Sequence, residues 1–361
     1  MPLILYYVSG HGFGHAVRSS RVIRELVNRH GFNVVVRTTA PSFIFKQAVG
    51  GGVTVEMADV DSGPAQTDCL HTDLPATLER ITRYLRDFDT TAQKEAQYAA
   101  SLNPCAIVAD IAPLGVEVGS LLKKPVFVVA NFLWDWIYAD YATRIPQFAP
   151  ISQRLTQIYS KATRILRTPL CGGMDGHANI TDIPLIAPEK NKSRPATRAE
   201  LGLSMDDRFV LVSLGGIGSE RFFARLGERI TKFKVMILGR EEGQSGNLFR
   251  FDCMKSAHGA LLSAADVVAG KLGYGLCSEL IAQKRPILYT PRSDFVEYGV
   301  LDERLRKYVA VATVPPDEFF EGSLDGPLLA LVDASHPSAT APLDGARIAA
   351  GIITSYPETL P

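Results

Sequence analysis

Cysteine is scarce in this chain, neither sign of charge is in excess, and long apolar runs are missing. The five cysteines, Cys69, Cys105, Cys171, Cys253 and Cys277, are odd in number, scattered, and without C-x-x-C spacing. They suggest neither a disulfide framework nor a zinc site, and a reducing, cytoplasmic setting is expected. With 38 Lys and Arg against 38 Asp and Glu the formal charge is zero, so no general nucleic-acid-binding face is expected. No apolar run spans a bilayer, and the first, from Leu3, has no basic stretch before it, so neither a membrane span nor a secretory leader is expected. The chain also has no low-complexity tract, no short repeat and no G-x-x-x-x-G-K-[ST] loop. A P-loop kinase reaction is therefore not expected.

What the chain does have is glycine placed between strand and helix patterns. Its 361 residues suit two domains, each with its own core. Lys271-Leu272-Gly273-Tyr274-Gly275-Leu276-Cys277-Ser278-Glu279 follows the apolar run Asp266-Val267-Val268-Ala269 and leads into Leu280-Ile281-Ala282. This reads as strand, loop and helix, with backbone N–H groups able to approach an anion at the positive end of the helix. Glu279 then lies about one turn inside that helix, within reach of hydroxyls such as a ribose diol. The alternative is a tight turn in which Glu279 only favours the helix start through the macrodipole.

The chain opens on the same pattern. Leu3 to Val8 is a buried-strand run, Ser9-Gly10-His11-Gly12-Phe13-Gly14-His15 is a glycine loop, and 16–29 has helical spacing through Val17, Val22, Ile23, Leu26 and Val27. The loop is G-x-G-x-G, not the dinucleotide fingerprint G-x-G-x-x-G, and no acid ends the strand at 33–37 to hold a ribose. A nicotinamide site is thus weakly supported. Two histidines are more than a turn needs. His15 falls at the mouth of the sheet, where open parallel domains bind ligands, and its side chain exchanges protons near neutral pH. Local packing or capping suits His11 better than His15.

Strand and helix patterns alternate through the first half, with strands at 33–37, 53–57, 105–109 and 125–130 and helices at 41–49 and 76–102. Such alternation calls for a parallel sheet covered on both faces, an α/β fold. Asp110 ends one of these strands. It reads as the carboxylate that orients His15, as an acceptor contact or base itself, or as a helix N-cap before Pro113. Trp134, Asp135, Trp136, Tyr138 and Tyr141 cluster after the strand ending at Ala130. Rings beside a polar group suit a sugar, and they equally suit a core. The breaker-rich stretch 184–195 reads as a linker. Beyond it, Arg208 to Ser213 is a strand running into a third glycine loop, Leu214-Gly215-Gly216-Ile217-Gly218, and 239–247 reads as a polar, mobile loop.

GHGFGHAVR after the first strand, SLGGIG in mid-chain and ADVVAGKLGYGLCSELIAQKRPILYTPRSDFVEY near the end resemble the nucleotide-sugar-dependent glycosyltransferases of the GT-B fold. The resemblance is to the branch containing the bacterial N-acetylglucosaminyltransferase of peptidoglycan synthesis, and to the glycosyltransferase-like N-terminal half of plant arabinokinases. The segment 131–138 resembles the arabinokinase-like group as well. The resemblance implies two Rossmann-like domains facing across a cleft. The acceptor-binding domain would span 1–187, the donor-binding domain 188–342, and a final helix, 343–361, would cross back to the first domain.

A set of site residues follows from that resemblance. Backbone N–H groups around Gly215, Gly216, Gly273, Tyr274 and Gly275 would hold the departing diphosphate, with Glu279 on the ribose and Phe251 walling the base. Asp294 and Glu297 would hold the transferred sugar and Arg292 would offset phosphate charge. Many relatives carry a glutamine in that loop where this chain has none, which leaves the sugar open. His15 would take the acceptor's proton, with Asp110 as partner or substitute, and His11, Gly14 and Asp135 would lie on the acceptor side. The implied reaction moves a sugar from a nucleotide diphosphate sugar, with UDP the expected carrier, to the hydroxyl of a small molecule or glycan. Inversion is expected, without a metal or other cofactor, because helix termini can replace the cation. Two alternatives share the fold: a nucleotide-sugar epimerase or hydrolase, and a non-catalytic nucleotide-sugar-binding protein.

Overall fold

The computed structural model describes residues 1–68, 70–188, 193–215, 220–239, 241–254 and 257–356. The first unit runs β1 (Leu3–Val8), α1 (Phe13–Asn28), β2 (Asn33–Thr38), α2 (Ser42–Val49), β3 (Val53–Met57), α3 (Leu74–Leu102) and β4 (Ala106–Asp110). It continues with α4 (Pro113–Leu122), β5 (Val126–Ala130), α5 (Trp134–Ala142), α6 (Phe148–Tyr159), β6 (Arg164–Arg167) and β7 (Ile180–Asp182). Among the described residues seven strands pair in the order β3-β2-β1-β4-β5-β6-β7. Every pairing in this sheet is parallel. Parallel strands are covered on both faces, which is why β1 reads as an unbroken apolar run. Leu5 and Tyr7 enter one core, with α3, α4 and α6, while Ile4, Tyr6 and Val8 enter the other, with α1 and α2.

The second unit runs α7 (Arg194–Glu200), β8 (Phe209–Ser213), α8 (Glu220–Arg229), β9 (Lys234–Gly239), β10 (Gly243–Ser245), β11 (Leu248–Asp252), α9 (His258–Ala264) and β12 (Val267–Gly270). After it come α10 (Tyr274–Gln283), β13 (Ile287–Tyr289), α11 (Glu297–Leu305), β14 (Val311–Thr313), α12 (Pro316–Glu321), α13 (Asp325–Val332) and α14 (Gly345–Thr354). Its strands pair in the order β10-β11-β9-β8-β12-β13-β14. The 239–247 segment is not simply a polar loop, because β10 within it pairs antiparallel with β11 and Gly246, at φ +55°, makes the turn between them. In α14, Ala346, Ala349, Ala350 and Ile353 pack in one core with Val22, Ile23 and Leu26 of α1.

In each sheet the connections reverse direction beside one strand, β1 in the first and β8 in the second, and the crevice there is where open α/β sheets bind ligands. β12 comes so close to β8 that a Cβ on Gly270 would sit 2.1 Å from the Ser213 carbonyl oxygen. Gly270→Ala must therefore move backbone, and it is expected to cost about 1–3 kcal/mol, the usual penalty of overpacking. A urea unfolding midpoint checks this, and an unchanged midpoint contradicts it.

Candidate functional site

The parallel register that sets Val8 against Asp110 brings the end of β4 under the start of α1. There His15 Nδ1 lies 2.8 Å from Asp110 Oδ1 and 3.2 Å from Arg18 Nη2. One turn along α1, Arg18 donates Nε to Asp110 Oδ2 at 2.9 Å and Nη2 to Oδ1, while the Ser19 hydroxyl donates to Oδ2 at 2.7 Å. Burial pushes the Asp110 carboxyl up, but Arg18 and then His15 outweigh it and hold the group at about 2. An ionised carboxylate only accepts, so the proton of a neutral His15 sits on Nδ1 and Nε2 is left as an acceptor. That is the arrangement of a general base held by its orienting carboxylate. Asp110 is not the cap of α4, whose N-cap position is Ala112 with no side-chain cap hydrogen bond.

The network continues into the second unit. Arg18 Nη1 donates to Asn131 Oδ1 at 2.6 Å, and Asn131 Nδ2 donates to Glu297 Oε1 at 2.7 Å. Glu297 opens α11, and burial pushes its carboxyl up. Asp294 accepts from the Thr72 N–H at 3.3 Å, Arg292 donates to the Thr72 hydroxyl at 3.1 Å, and Phe295 meets Phe132 edge-on at 5.8 Å. The loop expected to hold a transferred sugar thus lies against the first unit.

Gly273 caps α10 in extended conformation, and a Cβ on Gly275 would lie 3.2 Å from Gly14 Cα. The two glycine loops therefore abut, one from each sheet. The Arg18 guanidinium lies 5.0 Å from the centre of the Tyr274 ring. Gly215, at φ +70°, turns the chain out of β8, and the Lys271 side chain comes within 3.1 Å of where its Cβ would be. Gly216 lies outside the described residues. Glu279 accepts from Arg21 Nη2 of α1 at 2.7 Å and from His258 Nδ1 at 2.7 Å. Burial raises its carboxyl, yet His258 and then Arg21 hold it at about 2.

Phe251 and Asp135 fall elsewhere, while His11 stays near His15. Phe251 is 8% exposed and packs in the second unit's core with Leu211 and Met236. Asp135 accepts from Thr156 Oγ1 at 2.9 Å and from His177 Nε2 at 2.7 Å, so its carboxylate is spent inside the first unit. His11 stands edge-on to Trp134 at 5.4 Å. Burial first, then the charges of His15, Arg292, Arg80 and Lys271, lower its pKa to about 3 and keep it neutral. Two D-x-D spacings do occur in the chain, Asp59-Val60-Asp61 and Asp87-Phe88-Asp89. Asp61 is buried, accepting from Trp134 Nε1 at 2.9 Å, whereas Asp87 and Asp89, on α3, pair with Arg86 and with Arg154 of α6. Sequence reading missed Arg18, Arg21, Asn131, Ser213 and His258. Asn131 and Ser213 had a legible signal, a polar residue at the C-terminal end of a strand.

Acid should test both buried carboxylates. Asp110 and Glu279 fold at about 2 against ordinary values of 3.8 and 4.5. A depressed folded value gives stability that is complete above the unfolded value and lost as pH falls toward the folded one. The urea midpoint is expected to drop between about pH 5 and 2, and less steeply in Glu279→Gln. Parallel pH curves for the two proteins would show that Glu279 does not contribute.

Residues 3–133 match the family model described as glycosyl transferase family 1. Over 352 residues, 96% of this chain, the sequence is 28% identical to the L-arabinokinase of Arabidopsis thaliana, of which the chain spans 34%. The calicheamicin glycosyltransferase CalG4 superposes with a TM-score of 0.62 at 14% identity, covering 99% of this chain and 95% of its own. The Arabidopsis thaliana UGT89C1 structure complexed with UDP gives 0.60 at 15% identity, with 97% and 92% covered. Among the described residues no helix is long and apolar enough to cross a membrane. The chain has the GT-B fold of these glycosyltransferases, and the part of it that matches the glycosyl transferase family 1 model is residues 3–133.

Proposed function

We propose that the chain is a glycosyltransferase that takes a sugar from a nucleoside diphosphate held by the second unit and places it on an acceptor hydroxyl bound by the first. The observation that carries this reading is the His15–Asp110 dyad, whose histidine follows Gly14, the residue that abuts Gly275 at the start of α10. His15 Nε2 removes the acceptor's proton, and the Asp110 carboxylate stabilises the imidazolium that forms. The positive end of α10, with Lys271 and Arg292, receives the charge of the departing diphosphate in place of a metal ion. If the sugar lies between His15 on the first unit and the diphosphate on α10, the reaction is a single, inverting displacement. UDP is the nucleotide favoured by the complex reported for a protein of similar fold.

Glu279, Asp294 and Glu297 would meet the donor's hydroxyls, and each already accepts hydrogen bonds within the protein. A ribose diol uses the second lone pair of each Glu279 oxygen or displaces Arg21. The test is thermal unfolding against a panel of nucleoside diphosphates. A ligand at 100 times its Kd stabilises the fold by about 2.7 kcal/mol, so UDP should raise the midpoint and Glu279→Ala should remove most of the rise. No shift with any nucleotide would overturn the reading.

A further inference from the structure

A second histidine–carboxylate pair lies in the second unit, and it carries a serine. Ser213 is the last residue of β8, His258 the first of α9, and Glu279 lies in α10. All three gather at the C-terminal edge of the sheet, where β8 stands between β9 and β12 and the connections reverse. The Ser213 hydroxyl lies 3.0 Å from His258 Nε2, and His258 Nδ1 lies 2.7 Å from Glu279 Oε2. We propose that Ser213, His258 and Glu279 form a nucleophilic triad able to hydrolyse a carboxylic ester, a reaction distinct from glycosyl transfer that shares Glu279 with the proposed donor site.

The polarity of the hydrogen bonds follows from the carboxylate. Glu279 is also paired with Arg21 at 2.7 Å, so it stays ionised and only accepts. His258 Nδ1 must then be the donor, and in the neutral imidazole Nε2 is the acceptor. Ser213 Oγ–H therefore donates to Nε2, the direction that prepares a serine for attack. A triplet that merely held the fold together would lie in the core, whereas the His258 side chain is 30% exposed and Ser213 is half-buried. The absence of a side chain at Gly270 sets β12 against the Ser213 carbonyl and fixes the strand end that carries the hydroxyl. The Lys271 ammonium lies 3.6 Å from the Gly215 Cβ position, so positive charge stands beside the turn after the serine.

In the acylation step Ser213 Oγ bonds to the ester carbonyl carbon, and its proton passes to His258 Nε2. The carbon–alkoxide bond then breaks, and the alkoxide leaves with that proton. Water next attacks the acyl-serine, giving up its proton to Nε2. The acyl–Oγ bond breaks, Oγ recovers the proton, and a carboxylic acid is released. No oxidant, reductant or further co-reactant is needed.

The full chain at about pH 8 is treated with a fluorophosphonate, and the modified peptide is identified by mass spectrometry. Hydrolysis of p-nitrophenyl acetate is measured in parallel for the native chain, Ser213→Ala and His258→Gln. Expected are one label, on Ser213, and a loss of ester hydrolysis of about 100-fold or more in both variants. A native chain that takes no label on Ser213 overturns the proposal without reference to any variant. Hydrolysis that persists at the native rate in folded Ser213→Ala overturns it as well.

Discussion

Replacing His15 by Ala is expected to lower turnover of the nucleotide sugar by about 100- to 10,000-fold, the usual worth of a positioned base, and to leave donor affinity within a few-fold of native. The split follows from where the histidine stands. It sits on α1 with its Nδ1 proton committed to Asp110 at 2.8 Å, while the donor loop belongs to α10. Release of nucleoside diphosphate reads turnover, and calorimetry reads affinity. A parallel fall in both would remove His15 from the base role. Asp110→Asn should lower turnover in the same direction, because an amide can accept at Oδ1 yet gives the imidazolium no opposite charge.

Arg18→Met is expected to be the most destabilising of these substitutions, by about 3–5 kcal/mol, as when one partner of a buried ion pair is removed. Arg18 is 2% exposed and Asp110 fully buried. Without the guanidinium, the carboxylate keeps only His15 and Ser19, Asn131 Oδ1 loses its donor, and Tyr274 loses the cation beside its ring. Unfolding in urea at neutral pH checks the size of the effect. Adding Asp110→Asn to Arg18→Met removes the stranded charge and should recover part of the loss, because the penalty lies largely in the uncompensated ion. A single-variant loss below about 1 kcal/mol would mean that water reaches the pair.

The sequence made the fold legible where physics leaves a local trace. β1, β4, β5 and β8 are buried on both faces, so each appears as an apolar run that needs no partner to be seen. The three-residue strands β7 and β10 bury too little to leave such a trace. α5 is so rich in aromatic residues that it reads as a cluster before it reads as a helix. His15 and Asp110 were legible because strand ends and glycine turns mark the ligand edge of a parallel sheet. Their wider network was not. Arg18 meets Asn131 across 113 residues of sequence, and Arg21 meets Glu279 across 258, so neither pair has a spacing that a pattern can carry. Phe251 packs with Leu211 and Met236 in a core of the second unit, and its strand carries no local pattern that separates a core ring from a ligand wall.

The most direct test of the donor site is hydrogen–deuterium exchange of the full chain with and without saturating UDP. Slowed exchange is expected in the amides around Gly273 to Glu279 and at the turn through Gly215, with smaller changes where α1 meets α10. Exchange unchanged at both turns while UDP is present at saturating concentration would mean that the glycine loops hold no diphosphate, and it would contradict the account.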